Sequence, residues 1–181
     1  MASDHVLLTV SGPDRPGIVA GVAEALLAAR CNLEDSSMTR LRGAFAILLI
    51  VRLGEGVDAA ALEARLAETA RDLGLTISLR PLTPEEAARP APSGATPVLI
   101  TLFGADHPGI VAPVARLLAD RGVNVTDLST EVVGSPEKPV YAMVIEAESP
   151  VGASELEAPL AQLARELACD VAVKEIEEYR L

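Results

Sequence analysis

The chain has few aromatic and few basic residues, and both shortages exclude classes of protein. Its 181 residues contain no Trp, two Phe and two Tyr, so we expect no stacking on bases or sugar rings. Lys and Arg number 15 against 26 Asp and Glu, which gives a formal net charge of −11. Because no basic run offsets this charge, direct binding to nucleic acid is not expected either.

Long apolar runs and clusters of metal-binding side chains are also missing from the sequence. No apolar run approaches the roughly 20 residues that cross a bilayer, and the first residues lack a signal-peptide pattern. The sequence therefore predicts a cytoplasmic protein that does not contact a membrane. Cys31 and Cys169 form no CxxC motif, and the chain has only two His. We therefore predict no disulfide scaffold, no metal site and no cofactor.

An internal duplication is the main feature that the sequence does contain. The stretch "SGPDRPGIVAGV" at residues 11–22 returns 92 positions later as "FGADHPGIVAPV". At this offset residues 6–39 pair with residues 98–131, and 16 of the 34 pairs are identical. A stretch rich in Pro and Ala separates the copies and is typical of a linker. The prediction is a first domain at 1–82, a linker at 83–97 and a second domain at 98–181.

Each copy contains the pattern of a β-α-β-β-α-β unit. In the first copy, the strand "HVLLTV" precedes apolar residues at helical spacing up to Arg30, and strands follow at 32–41 and 44–53. A second helix at 58–73 ends before Gly74, and "LTISLRPL" forms the last strand. Such a unit folds as an α+β, ferredoxin-like sandwich with both helices on one face of a four-stranded antiparallel sheet.

Two predicted strands have apolar residues on both faces. Strands of a sheet with one solvent-exposed face would instead alternate apolar and polar residues. The two predicted strands read "AFAILLIVRL" and "YAMVIEA". We therefore expect the second face or an edge of each sheet to be covered by the other unit or by a second chain, and a homodimer is the expected assembly. The alternative is that these strands are simply very apolar.

The duplicated loop joins the first strand of each copy to its first helix. Backbone N–H groups at Gly17, Ile18, Gly109 and Ile110 therefore have no helical partners and can bind an anion. Asp14 and Asp106 are placed where their side chains could cap these donors. The loop matches neither a Walker motif nor a dinucleotide fingerprint, so phosphate cradling is not favoured.

Each copy also has an Asn 15 residues after the loop Gly, namely Asn32 and Asn124. An Asn at a helix end fits a left-handed C-cap. Its amide could equally recognise the carboxylate and ammonium groups of an amino acid, provided that the Asn and the loop face one ligand, for example across a domain interface.

The stretches "DRPGIVAGVAEALLAARCNLEDSSM" and "DHPGIVAPVARLLADRGVNVTDLST" resemble the ACT domain, a regulatory ferredoxin-like module that binds amino acids. The tandem arrangement is similar to the glycine cleavage system transcriptional repressor family. That resemblance implies a regulator that senses an amino acid such as glycine or serine and acts through a partner activator protein or enzyme. It also implies these ligand-binding residues: Asp14, Gly17, Ile18, Asn32, Asp106, Gly109, Ile110 and Asn124.

Two other functions stay open at this point, whereas catalysis does not. Catalysis is not predicted, because His107 is replaced by Arg15 in the other copy and Ser11 by Phe103. A ligand-free module that controls an enzyme or transcription factor by sheet pairing is the main alternative. A regulatory half similar to the paired ACT units of formyltetrahydrofolate deformylase or phosphoserine phosphatase ranks lowest.

Overall fold

The computed structural model describes residues 4–88, 94–135 and 137–176. The chain divides into two compact units, Met1–Pro90 and Ala91–Leu181, called the first and the second unit below. Part of the predicted linker, residues 89–93, lies outside the described residues. Before it, Thr83 caps a one-turn helix at Pro84–Ala87 that the sequence analysis did not predict.

The first unit contains four strands and two helices besides that turn. In chain order they are β1 (His5–Pro13), α1 (Ile18–Ala28), β2 (Asn32–Leu41), β3 (Ala44–Arg52), α2 (Ala59–Leu73) and β4 (Thr76–Pro81), and the one-turn helix is α3. The second unit repeats this order with β5 (Thr96–Gly104), α4 (Val111–Ala119), β6 (Asn124–Ser135), β7 (Lys138–Ser149), α5 (Ser154–Glu166) and β8 (Cys169–Glu175).

Both sheets have the strand order expected of a split β-α-β fold. The first is β2-β3-β1-β4 and the second is β6-β7-β5-β8, and all neighbours are antiparallel. The predicted fold class, two ferredoxin-like units with antiparallel sheets, is confirmed. The second strand is thus an edge strand in each unit.

Local sequence signals explain where several elements begin and end. The Asp58 side chain accepts a hydrogen bond from the Ala61 N–H and caps α2, and Gly74 ends that helix at a φ of 65°. Arg42 and Gly43 have φ values of 47° and 80°, so the β2–β3 hairpin turns through two left-handed residues, as primed turns do. Gly74 therefore confirms the predicted end of α2, whereas α1 ends two residues before the predicted Arg30.

The core of each unit lies between its sheet and its two helices. In the first unit it includes Leu8, Ile18, Leu62 and Leu66, each no more than 2% exposed. The second unit places Ile100, Ile110, Leu118, Leu156 and Leu160 in the same roles. Full burial of one such side chain stabilises the fold by about 1.5–3 kcal/mol.

The edge strands β2 and β6 are exposed along their whole length. Each carries a bulge near its start, at Leu33/Asp35 in β2 and at Val125/Asp127 in β6. On the outer face of the first sheet, Leu48 is 48% exposed. Coverage of these faces by a second chain stays a prediction.

Two observations on the described residues bear on metals and membranes. None of the helices in the described ranges combines the length and the apolar character that a membrane crossing requires. In the same ranges, no group of three or more His, Cys, Asp or Glu side chains is placed to hold a metal ion.

Candidate functional site

The duplicated loop has the same backbone geometry at its glycine in both units. Gly17 and Gly109 have φ values of 94° and 99°, which residues with a side chain rarely adopt. Ile18 and Ile110 are each 2% exposed, so their side chains belong to the core. Only their backbone N–H groups can therefore take part in the predicted ligand binding.

Asp14 does not cap α1 and Asp106 does not cap α4, so that part of the sequence prediction is wrong. No side chain caps the first turn of α1 or of α4. The Asp14 carboxylate instead lies 2.7 Å from Nη2 of Arg40 on β2, and its backbone N–H donates to the Gly43 carbonyl at 2.8 Å. The loop is thereby held against the end of the β2–β3 hairpin.

The residue after the loop Asp binds the end of the second helix in both units. Arg15 donates to the Asp72 carbonyl at 2.8 Å. His107 contacts the Pro108 carbonyl at 3.0 Å through Nδ1 and the Leu167 carbonyl at 3.1 Å through Nε2. These hydrogen bonds, first to Pro108 and then to Leu167, raise the pKa of His107, and the charge of Asp106 adds to the effect. Arg15 thus places a cation at the carbonyl end of α2, and His107 does the same at the end of α5 when its ring is protonated.

Asn32 and Asn124 are the first residues of β2 and β6 rather than helix caps. The left-handed positions that end the preceding helical turns are Arg30, with a φ of 56°, and Gly122, with a φ of 70°. The C-cap interpretation of the two Asn is therefore wrong. Both Asn are exposed, so their amides can contact a ligand.

The loop and the Asn lie at opposite ends of the sheet within one unit. Asn32 is in register with Arg52, and Arg52 with His5, the first residue of β1. The loop follows Pro13, the last residue of β1. At about 3.3 Å per residue the two ends are about 25 Å apart. The structure therefore does not bring Asp14 and Asn32 of one unit to a single amino-acid ligand.

A charged cluster that the sequence analysis missed lies beside Asn32. Glu34, at the bulge of β2, accepts from Arg52 Nε at 2.8 Å and contacts His5 Nε2 at 3.0 Å. Burial raises the pKa of Glu34, but the hydrogen bonds from Arg52 and His5 outweigh it and lower this pKa overall. The chain separations of 18 and 29 residues hide this cluster in the sequence.

In the described part of the second unit, neither charged feature is repeated. At the 92-residue offset Val132 replaces Arg40 and Thr126 replaces Glu34. Asn124 is in register with Glu148, in the place where Asn32 has Arg52. The two candidate sites share loop and Asn but present different charges.

Two cavities of the first unit lie away from the predicted site residues. A cavity of about 540 Å³ lies between the start of β1 and the β3–α2 connection, beside Asp4, Glu55 and Asp58. A groove of about 80 Å³ runs between α1 and β2 and is lined mainly by apolar side chains, including Val19 and Leu33. Neither cavity is lined by Asp14, Gly17 or Asn32.

Known proteins resemble this chain in sequence and in fold. The glycine cleavage system transcriptional repressor of Escherichia coli is 28% identical over 129 residues, which span 71% of this chain and 65% of that protein. A UPF0237 protein of Methanopyrus kandleri is 40% identical over 74 residues, which span 40% of this chain and 82% of that protein.

A solved structure of an unknown protein from Galdieria sulphuraria matches with a TM-score of 0.79 at 26% identity, covering 96% of this chain and 99% of that one. The family model of the ACT domain matches twice, at residues 4–80 and 96–174. The chain therefore belongs to the ACT-domain family and carries two ACT domains in tandem.

Proposed function

We propose that the protein is a non-catalytic, cytoplasmic regulator that senses a small amino acid and acts through a partner protein. The observation that carries this proposal is the repeated placement of an ACT-type loop and an exposed Asn at the two ends of an edge strand. Each unit has a left-handed Gly in the loop and an Asn as the first residue of that strand.

Pairing of two protomers explains how the loop and the Asn could serve one ligand. Among the described residues no strand pairs with the outer edge of β2, and all of its residues are exposed. Asp14 binds Arg40 and Gly43, so the loop lies beside the end of β2. If β2 strands of two protomers pair antiparallel, the start of one strand faces the end of the other. The Asn of one protomer then lies close to the loop of its partner.

The groups at such a junction suit a zwitterion. The amide of Asn32 offers a donor and an acceptor, and the loop offers backbone N–H groups near Gly17. A free amino acid carries one carboxylate and one ammonium group, so it can satisfy both kinds of partner. Glycine and serine are the ligands that we propose to test first, because the E. coli relative is a glycine cleavage system repressor.

Regulation through a protein partner accords with the charge of the chain. The net charge of −11 opposes contact with the phosphate backbone of DNA. We therefore propose that any control of transcription or metabolism passes through an activator protein or an enzyme that binds this chain.

Calorimetric titration against the twenty amino acids tests the proposal. At least one amino acid is expected to bind, and Asn32→Ala is expected to abolish the binding heat in the first unit, as Asn124→Ala would for any binding in the second. Gln162→Ala is the matched control, because it removes an exposed side-chain amide from α5. This variant should bind as the wild type does. A flat titration for all twenty would reject an amino-acid sensor.

A ligand-free interaction module is the second candidate function. It is favoured by exposed apolar side chains on the edge strands, among them Met38 at 52%, Leu41 at 69% and Leu128 at 45%. An edge strand of this kind can pair with a strand of another protein. Co-purification from the native host, followed by loss of the partner in Met38→Lys, would support this function, whereas recovery of the chain alone would reject it.

A further inference from the structure

We infer that Arg40 decides ligand specificity, so that the first unit receives the carboxylate of an amino acid and the second unit does not. This inference rests on the proposed function and names the group that the loop end of the first site recognises. It follows from the ion pair of the loop Asp and from the unequal charges of the two units.

Asp14 alone would repel a ligand carboxylate, because two like charges would meet at the loop. Its partner Arg40 lies 2.7 Å away, and the Arg40 side chain is 67% exposed whereas that of Asp14 is 24% exposed. A guanidinium has five N–H donors in a planar fork, so the contact with Asp14 leaves donors for a second carboxylate. The exposed part of this pair is therefore cationic.

The second unit has an acid in the equivalent loop position, Asp106, but no cation in the place of Arg40. Asp106 forms no ion pair with a Lys or Arg anywhere in residues 94–135 and 137–176, and Val132 occupies the position of Arg40. His107 is the nearby basic side chain, and both of its ring nitrogens already contact backbone carbonyls. The loop end of the second unit therefore presents a carboxylate to a ligand.

The strand ends that carry Asn32 and Asn124 also differ in charge, and the second unit is again the more negative of the two. Asn32 is in register with Arg52, which binds Glu34, whereas Asn124 is in register with Glu148. A carboxylate ligand would thus meet a balanced cluster in the first unit and an added negative charge in the second. Both ends therefore favour a ligand carboxylate in the first unit over the second.

Titration of Arg40 variants of the full chain tests this inference. The amino acid that binds the wild type with the largest heat is used as the probe, and the amine of the same skeleton without its carboxylate is the second probe. Arg40→Gln is expected to weaken binding of the amino acid at least about tenfold, since a hydrogen bond to a charged group is lost. Arg42→Gln is the matched control, because Arg42 lies in the same hairpin and forms no ion pair with the described residues.

The double variant Asp14→Asn/Arg40→Gln distinguishes two roles of Arg40. Arg40 either contacts the ligand carboxylate directly or only neutralises the charge of Asp14. If Arg40 contacts the ligand, the double variant stays as weak as Arg40→Gln, and the amine without carboxylate binds wild type and Arg40→Gln alike. Full recovery of affinity in the double variant would overturn direct contact. Unchanged affinity in Arg40→Gln would overturn the inference while leaving the amino-acid sensor in place, and a wild type that binds no amino acid would overturn both.

Discussion

His107 and Leu167 join the loop of the second unit to the end of its last helix, with His107 Nε2 3.1 Å from the Leu167 carbonyl oxygen. Arg15 makes the equivalent contact in the first unit, to the Asp72 carbonyl. Nδ1 of His107 also contacts a carbonyl, that of Pro108. Only the doubly protonated imidazolium can donate through both nitrogens.

The stability of the second unit should therefore depend on the protonation of His107. Its pKa is raised above 6.5 in the folded state by these hydrogen bonds. The stabilisation is then fully present below about pH 6.5 and lost as the pH rises through the folded-state pKa. Thermal unfolding between pH 5.5 and pH 8.5 should show this loss in the wild type and a smaller one in His107→Gln.

His107→Arg is the control for that experiment. It places in the second unit the residue that the first unit already has, and its charge does not titrate in this range. This variant is expected to keep its stability at high pH. An identical pH profile for wild type, His107→Gln and His107→Arg would contradict the role given to His107.

Glu34 should contribute to stability in the opposite pH range. Its lowered pKa means that the stabilisation is present above about pH 4.5 and is lost as the pH falls through the folded-state value. We expect Glu34→Gln to lower the unfolding midpoint at pH 7 and to differ less from the wild type at pH 3.5. Glu63→Gln changes an exposed side chain on α2, and its unfolding midpoint should differ from that of the wild type by the same amount at both pH values.

Gly17 should resist substitution because of its backbone angle rather than a lack of space. A Cβ added at Gly17 would meet no atom within 4 Å, but φ is 94°. Gly17→Ala should therefore cost about 1–2 kcal/mol, and Gly17→Asn less, because Asn tolerates left-handed angles better. Urea unfolding of the two variants measures this difference, and an Ala variant as stable as the wild type would show that the loop can relax.

Pairing of protomers along β2 should be sensitive to charge on that strand. The proposed dimer has twice the chain mass of 18.8 kDa, and Met38→Lys/Leu41→Lys should shift it to the single mass in light scattering. Because both side chains are exposed, the unfolding of the separated chain should change little. Leu27→Lys, at a residue 76% exposed on α1, should keep the dimer. A wild type of single mass would contradict the dimer.

The sequence predicted the fold well because its signals are local or repeated. Gly74 marks the end of α2, and Gly43 marks the hairpin turn. The repeat at an offset of 92 residues shows the same pattern of strands and helices a second time. The charges of the site could not be predicted in this way. The Asp14–Arg40 pair and the Glu34 cluster depend on strand register and on a bulge, which bring distant positions together.

The opposite placement of loop and Asn could have been foreseen, since a strand–helix–strand connection returns the chain to the far end of the sheet. The equal spacing of Gly17 and Asn32 in both copies does not by itself show which end of the sheet each residue occupies. Ile18 shows the same limit, because its position in the loop suggested ligand contact whereas its side chain is 2% exposed in the core.

Amino-acid sensing by the loop and the Asn is tested by calorimetric titration of the full chain with the twenty amino acids, repeated on Asn32→Ala. At least one amino acid is expected to bind the wild type, and the binding heat of the first unit is expected to disappear in Asn32→Ala while the unfolding midpoint is unchanged. The absence of binding to every amino acid, or equal binding to both proteins, would contradict it.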